Sequence, residues 1–126
     1  STMGESREYM TLPEENGSIN IAEEVIAAIA VGAVRDVEGV SGMMTNLGSS
    51  VTDLVNKKNA QKSAKGVKID MTGTALVLDI YLTVQFGHPI PEVAENAQKA
   101  VISAVEAMTG CSVGTVNIHV GGVTLA

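Results

Sequence analysis

VKIDMTGTALVLDIYLTVQF, residues 67 to 86, holds the pattern on which the fold turns. Val67, Ile69 and Met71 alternate with Lys68 and Asp70, and Thr72-Gly73-Thr74 is a turn signal. Leu76, Leu78, Ile80, Leu82, Val84 and Phe86 then alternate with Ala75, Val77, Asp79, Tyr81, Thr83 and Gln85. Successive side chains of a strand point to opposite faces, so this spacing predicts a β-hairpin with one greasy face and one semi-polar face. Val77 and Tyr81 make the second face less polar than a free solvent face usually is, which marks it as a partner surface.

Downstream, Gly87-His88-Pro89-Ile90-Pro91 breaks the strand, and Pro91 suits the first turn of a helix, where its missing N–H leaves nothing unbonded. Ala94, Ala97, Val101, Ala104, Val105 and Met108 trace a helical face that ends at Gly110. A last strand is predicted over Val113 to Val120, with Val116, Ile118 and Val120 on one side and Asn117 and His119 on the other. Upstream, Ile21, Val25, Ile26, Ile29, Ala33, Val34 and Val37 recur at three- and four-residue steps and predict a helix over about residues 21 to 37. Asn20 and Glu23 fit a capping box at its start, behind a short extended piece at Ser18 to Asn20, and Gly39 fits a left-handed stop. Val40 to Met44 reads as a strand, and Val51, Leu54 and Val55 share a face of a further short helix. Helix, strand, short helix, hairpin, helix, strand: this order predicts an α/β (α+β) two-layer domain, its helices packed on one face of a small, mainly antiparallel sheet.

A chain of 126 residues with 45% hydrophobic content can bury one core, so a single domain is expected over residues 17 to 126. Residues 1 to 16, with Glu5, Glu8, Glu14 and Glu15 and little apolar periodicity, are expected to be a disordered tail. Ser1 and Thr2, ahead of Met3, are expected to be a cleavage scar. The most apolar helical run, Val25 to Val34, falls well short of the roughly 20 residues that span a bilayer, and the acidic N-terminus does not resemble a signal peptide. A cytoplasmic location follows, with any membrane proximity supplied by a partner. One cysteine, Cys111, allows no internal disulfide and suits a reducing compartment.

A net charge of −6 argues against nucleic acid, which is held largely by Lys and Arg. Three aromatic side chains, Tyr9, Tyr81 and Phe86, build no stacking platform for bases. His88 and His119 each stand alone in sequence without a ligand spacing, so no metal is expected and both read as ordinary surface or turn histidines. Cys111 follows a helix C-terminus, whose negative dipole end disfavours a thiolate, and reads as a buried structural thiol. Gly39-Val40-Ser41-Gly42 spells the GxxG of an RNA-clamping loop, but Asp36 and Glu38 beside it repel phosphate. Neither GxGxxG nor GxxxxGK[ST] occurs, so no catalytic residue and no cofactor is nominated. Lys57, Lys58, Lys62 and Lys65, half of all the Lys and Arg, fall in one segment close to Lys68. That run reads either as a solvated connection or as a grip for something anionic.

Four stretches in order carry a resemblance: NGSINIAEEVIAAIA (residues 16 to 30), VEGVSGM (37 to 43), FGHPIPEVAEN (86 to 96) and VNIHVGGV (116 to 123). Together they resemble the alkaline shock protein family of envelope-stress proteins, over about residues 16 to 124. The resemblance implies a small bacterial protein, typical of Gram-positive organisms, that serves cell-envelope homeostasis or stress tolerance. It also implies self-association and recruitment to the membrane by a membrane-associated partner, with no direct insertion. The family has no established catalytic residues to carry over. The expectation is therefore a non-enzymatic interaction or scaffold module, with Lys57, Lys58, Lys62, Lys65, Lys68, Val77 and Tyr81 as candidate partner-binding residues. The alternative is weak binding of an anionic surface, lipid or RNA, through the Lys57 to Lys68 segment.

Overall fold

A computed structural model describes residues 9–45 and 66–125. In chain order the elements are β1 (Tyr9–Glu14), β2 (Gly17–Ala22), α1 (Glu23–Arg35), β3 (Val40–Met43), β4 (Val67–Asp70), β5 (Leu76–Gln85), α2 (Ile90–Thr109) and β6 (Val113–Thr124). The alternation that predicts the hairpin places β5 at the centre of a four-stranded sheet. Leu76, Leu78, Ile80 and Leu82 are fully buried on its inner face. The turn from β4 to β5 is held locally, because Asp70 Oδ1 accepts from both the backbone N–H and the hydroxyl of Thr72, at 2.9 and 2.7 Å.

On one side β5 pairs with β6 in parallel, from Leu76↔Val113 to Gln85↔Thr124, and α2 is the crossover between them. On its other side it pairs antiparallel with both β4 and β3. β4 lies against Val77 to Ile80 and β3 against Leu82 to Val84, so the two lie end to end along one edge. They meet at Tyr81, whose carbonyl accepts from Met44 N–H (2.9 Å) and whose N–H donates to the Gly66 carbonyl (2.8 Å). Met44 and Gly66 thus meet the sheet at the same residue of β5.

Both described helices pack on the inner face. Ile26, Ala30 and Val34 of α1 are fully buried, and Val93, Ala97, Val101 and Val105 of α2 recur every four residues with at most 2% exposure. Burial on this scale contributes about 1.5–3 kcal/mol for each large aliphatic side chain. Pro91 lies in the first turn of α2, and Gly110 ends it in the left-handed conformation at φ 79°. Gly39 turns the chain from α1 into β3 at φ +96°, where a Cβ would lie 2.6 Å from Val93 Cγ2. Only glycine lets that turn approach the start of α2 so closely.

The two-layer α+β architecture is as the sequence predicts, and several details are not. Tyr9–Glu14, expected within a disordered tail, forms a two-residue-looped hairpin with β2, from Tyr9↔Ala22 to Glu14↔Gly17. Its charges sit in the exposed turn, while Met10 is buried at 8% exposure and Leu12 packs against the core. α1 starts at Glu23, and no capping box forms, because Asn20 belongs to the hairpin and its Oδ1 accepts from Thr11 Oγ1 at 2.8 Å. Glu23 and Glu24 remain in the first turn, where they complement the helix dipole. Phe86 and Met108, assigned to inner faces by periodicity, are each 72% exposed, since the first lies beyond the end of β5 and the second on the outer side of α2. β6 runs four residues past Val120, through a register shift opposite Leu82 and Thr83. The short helix expected around Val51, Leu54 and Val55 lies outside the described residues.

Candidate functional site

The helices cover one face of the sheet. The other carries the odd-numbered residues of β5, and among the described residues no helix or strand is layered on it. Register decides which side chains meet there. In the parallel ladder Tyr81 lies opposite His119 and Asp79 opposite Asn117, while β4 brings Lys68 opposite Asp79.

These five residues form one connected cluster. The rings of Tyr81 and His119 stack at 4.4 Å between centroids and 15° between planes. Asp79 Oδ1 lies 2.8 Å from His119 Nε2 and accepts from Asn117 Nδ2 at 3.2 Å. A carboxylate only accepts, so the His119 proton sits on Nε2 in this geometry. Lys68 Nζ lies over the Tyr81 ring, 5.5 Å from its centroid. The ring contact is worth about 0.5–1.5 kcal/mol and the exposed cation–π contact about 0.5–1 kcal/mol. The Asp79–His119 pair, with side chains 32% and 44% exposed, is worth about 0.2–1 kcal/mol. Tyr81 is thereby held through its backbone by Met44 and Gly66, and its ring contacts His119 and Lys68.

Farther along the same face Thr83 Oγ1 donates to the Gly42 carbonyl (3.3 Å) and lies 2.6 Å from Ser41 Oγ. The Met44 side chain reaches across to β6, where it fills the space that a Cβ on Gly121 would need. The face is therefore a half-buried, hydrogen-bonded surface of mixed character. It presents aromatic, amide and thioether groups, and no side chain on it is arranged as an activated nucleophile. Among the described residues no group of three His, Cys, Asp or Glu side chains converges to hold a metal ion. Cys111 is 1% exposed in the core.

Of the candidate partner-binding residues, Lys68, Val77 and Tyr81 come together on this face, with Val77 opposite Asp70 and Thr115 one row away from Asp79. Lys57, Lys58, Lys62 and Lys65 lie outside the described residues. Asp79, Asn117 and His119 are the members that sequence reasoning passes over. Their outward alternation is visible in each strand, but the pairing that joins them spans 38 and 40 residues.

The sequence model of the alkaline shock protein 23 family, described as having a cell envelope-related function, matches residues 11–125. The chain belongs to this family. It is 36% identical over 107 residues to the uncharacterised protein YqhY of Bacillus subtilis (strain 168), which covers 85% of this chain and 77% of the relative. It is 37% identical over 109 residues to the uncharacterised protein YloU of the same organism, covering 85% of this chain and 88% of that one. Among solved structures, a form of the MamM CTD superposes with a TM-score of 0.47 at 16% identity, over 79% of this chain and 93% of the other. Among the described residues, no helix of this alkaline shock family member is long and apolar enough to cross a membrane.

Proposed function

We propose that this alkaline shock family protein is a non-enzymatic interaction and scaffold module of the cell envelope. It associates with itself, and it presents the outer face of its sheet to a membrane-associated protein that holds it at the cytoplasmic side. The observation that carries the reading is the outer face around Tyr81, on which no described helix or strand is layered and where five side chains are joined in one cluster. Ordering exposed side chains has an entropic cost, and a rigid surface has already met the cost that a partner would otherwise impose on binding. Tyr is also enriched at protein interfaces, as one side chain with both an apolar body and a polar tip.

Lys57, Lys58, Lys62 and Lys65 enter the same reading as a basic contact to an acidic protein surface. With Asp53 their segment carries +3, which leaves −9 on the remainder of a chain whose total is −6. Such segregation of charge steers association toward acidic protein rather than toward phosphate-rich polymers.

The test combines light scattering of the purified protein with copurification from its own host, comparing the native chain with Val77→Asp/Tyr81→Ala. Self-association and a membrane protein captured by the native chain but lost from the variant are expected. A monomer at every concentration, with an identical captured set for both chains, sinks the reading.

A further inference from the structure

β6 has no described strand on its second side, and its ladder shows which backbone groups that side presents. Tyr81 turns both its N–H and its C=O toward Gly66 and Met44, so the odd residues of β5 bond the β3/β4 edge. The even residues bond β6, as Leu76 N–H does at the Ser112 carbonyl and Phe86 N–H at the Thr124 carbonyl, both at 2.8 Å. Parallel alternation then commits Thr115, Asn117 and His119 to β5 and turns the N–H and C=O of Val116, Ile118 and Val120 outward. The Val116 carbonyl is met from α2 by Gln98 Nε2 at 2.9 Å, as an outward-facing acceptor would be. Among the described residues no strand pairs with this edge.

We infer that a second copy of this chain pairs its own β6 with this edge, antiparallel about a twofold axis at Ile118, so that two four-stranded sheets become one. This rests on the self-association reading above and names its surface. Four observations select the occupant. The register of β6 shifts only between Val113 and Thr115 and between Val120 and Gly122, so Thr115 to Val120 is a regular run with Ile118 central among its outward-facing residues. Natural edges are guarded by Lys, Pro or inward charge, yet Ala107 to Ala126 contains no Asp, Glu, Lys, Arg or Pro. In a chain of net −6 most surfaces repel a second copy; here the carboxylate bonded to the edge backbone, Glu106, accepts from Val113 N–H at 2.9 Å, at the start of β6 and outside the run from Thr115 to Val120. Ile118 and Val120 stand on the inner face only half-buried because the sheet stops beside them, and a neighbouring strand covers both.

The twofold fixes the pairing. Ile118 meets the partner's Ile118, and Val116 meets the partner's Val120, whose N–H finds the second lone pair of the Val116 carbonyl beside Gln98. On the outer face Asn117 lies across from the partner's His119. The cluster around Tyr81 thus continues without a break into its twofold copy, and the surface offered to a membrane-associated protein doubles.

Opposed residues of an antiparallel pair stand about 4.5–5.5 Å apart at Cα, within reach of a disulfide. Asn117→Cys and His119→Cys chains are prepared separately, then oxidised alone and as an equimolar mixture. A covalent dimer in the mixture, with neither variant cross-linking alone above the native chain, is the expected result. Native protein that self-associates by light scattering while the mixture fails to cross-link overturns the β6 seam and leaves self-association standing. Cross-linking of either variant alone overturns the Ile118 register. A native chain that stays monomeric removes both this inference and the reading beneath it. Sedimentation of each reduced variant beside the native chain shows whether the substitutions themselves disturb assembly, and reduced variants that assemble as the native chain does keep all three outcomes decisive.

Discussion

Gly66→Ala tests whether the sheet edge is one strand interrupted at Tyr81. Gly66 has φ +83°, and a Cβ there would lie 2.8 Å from the Met44 carbonyl oxygen and 3.0 Å from that of Tyr81. The left-handed conformation costs an ordinary residue about 1–2 kcal/mol. Both obstructing atoms are backbone, so no side chain can rotate away, and the returning chain must shift off β5. That shift strains the 2.8 Å bond from Tyr81 N–H to the Gly66 carbonyl, a further loss of about 1 kcal/mol. Together these give a destabilisation of about 2–3 kcal/mol. With a urea m-value of roughly 2 kcal/mol/M, the unfolding midpoint falls by roughly 1–1.5 M. The chain has no tryptophan, so far-UV circular dichroism is the appropriate signal. A loss under about 2 kcal/mol at unchanged m would refute the crowding argument, because the conformational cost alone would then account for everything.

Gly32, exposed within α1 and with nothing within 4 Å of a Cβ, is the opposite case, and Gly32→Ala is expected to stabilise by about 0.5–1 kcal/mol in the same assay. Leu78→Ala removes a fully buried side chain between the two layers and should cost about 2–5 kcal/mol; a smaller loss would mean that the helices close over the cavity. A double-mutant cycle with Asp79→Asn and His119→Gln should return a coupling of about 0.2–1 kcal/mol, and a zero coupling would detach His119 from the cluster. Changing Lys57, Lys58, Lys62 and Lys65 together to Gln should weaken association with acidic protein and reduce its salt dependence, as seen by sedimentation across a salt series. Equal sedimentation of both chains at every salt concentration would return those lysines to a solvated connection.

Much of the framework was legible because its signals are local. The period-two run from Leu76 to Val84, Pro91 at the start of α2 and Gly110 at its end each act within a few residues, and the structure uses all of them as predicted. The β1–β2 hairpin escaped because the glutamates around it outweighed a short alternation, Met10 and Leu12, that needs the helices before it has anything to bury against. The same competition took Asn20 from the helix it would have capped. The cluster on the outer face was half legible. Val77, Tyr81 and Lys68 follow from the β4–β5 hairpin, whereas Asp79, Asn117 and His119 meet only through a parallel register set by the length and docking of α2. No periodicity in one strand encodes its offset against a strand on the far side of a helix.

The interruption at Tyr81 also bears on how such a domain accommodates change. Met44 and Gly66 are fastened to the C=O and N–H of one residue of the central strand, so β3 and β4 each take their register from β5 and not from one another. A substitution that loosens one half of this edge therefore leaves the register of the other half where it is.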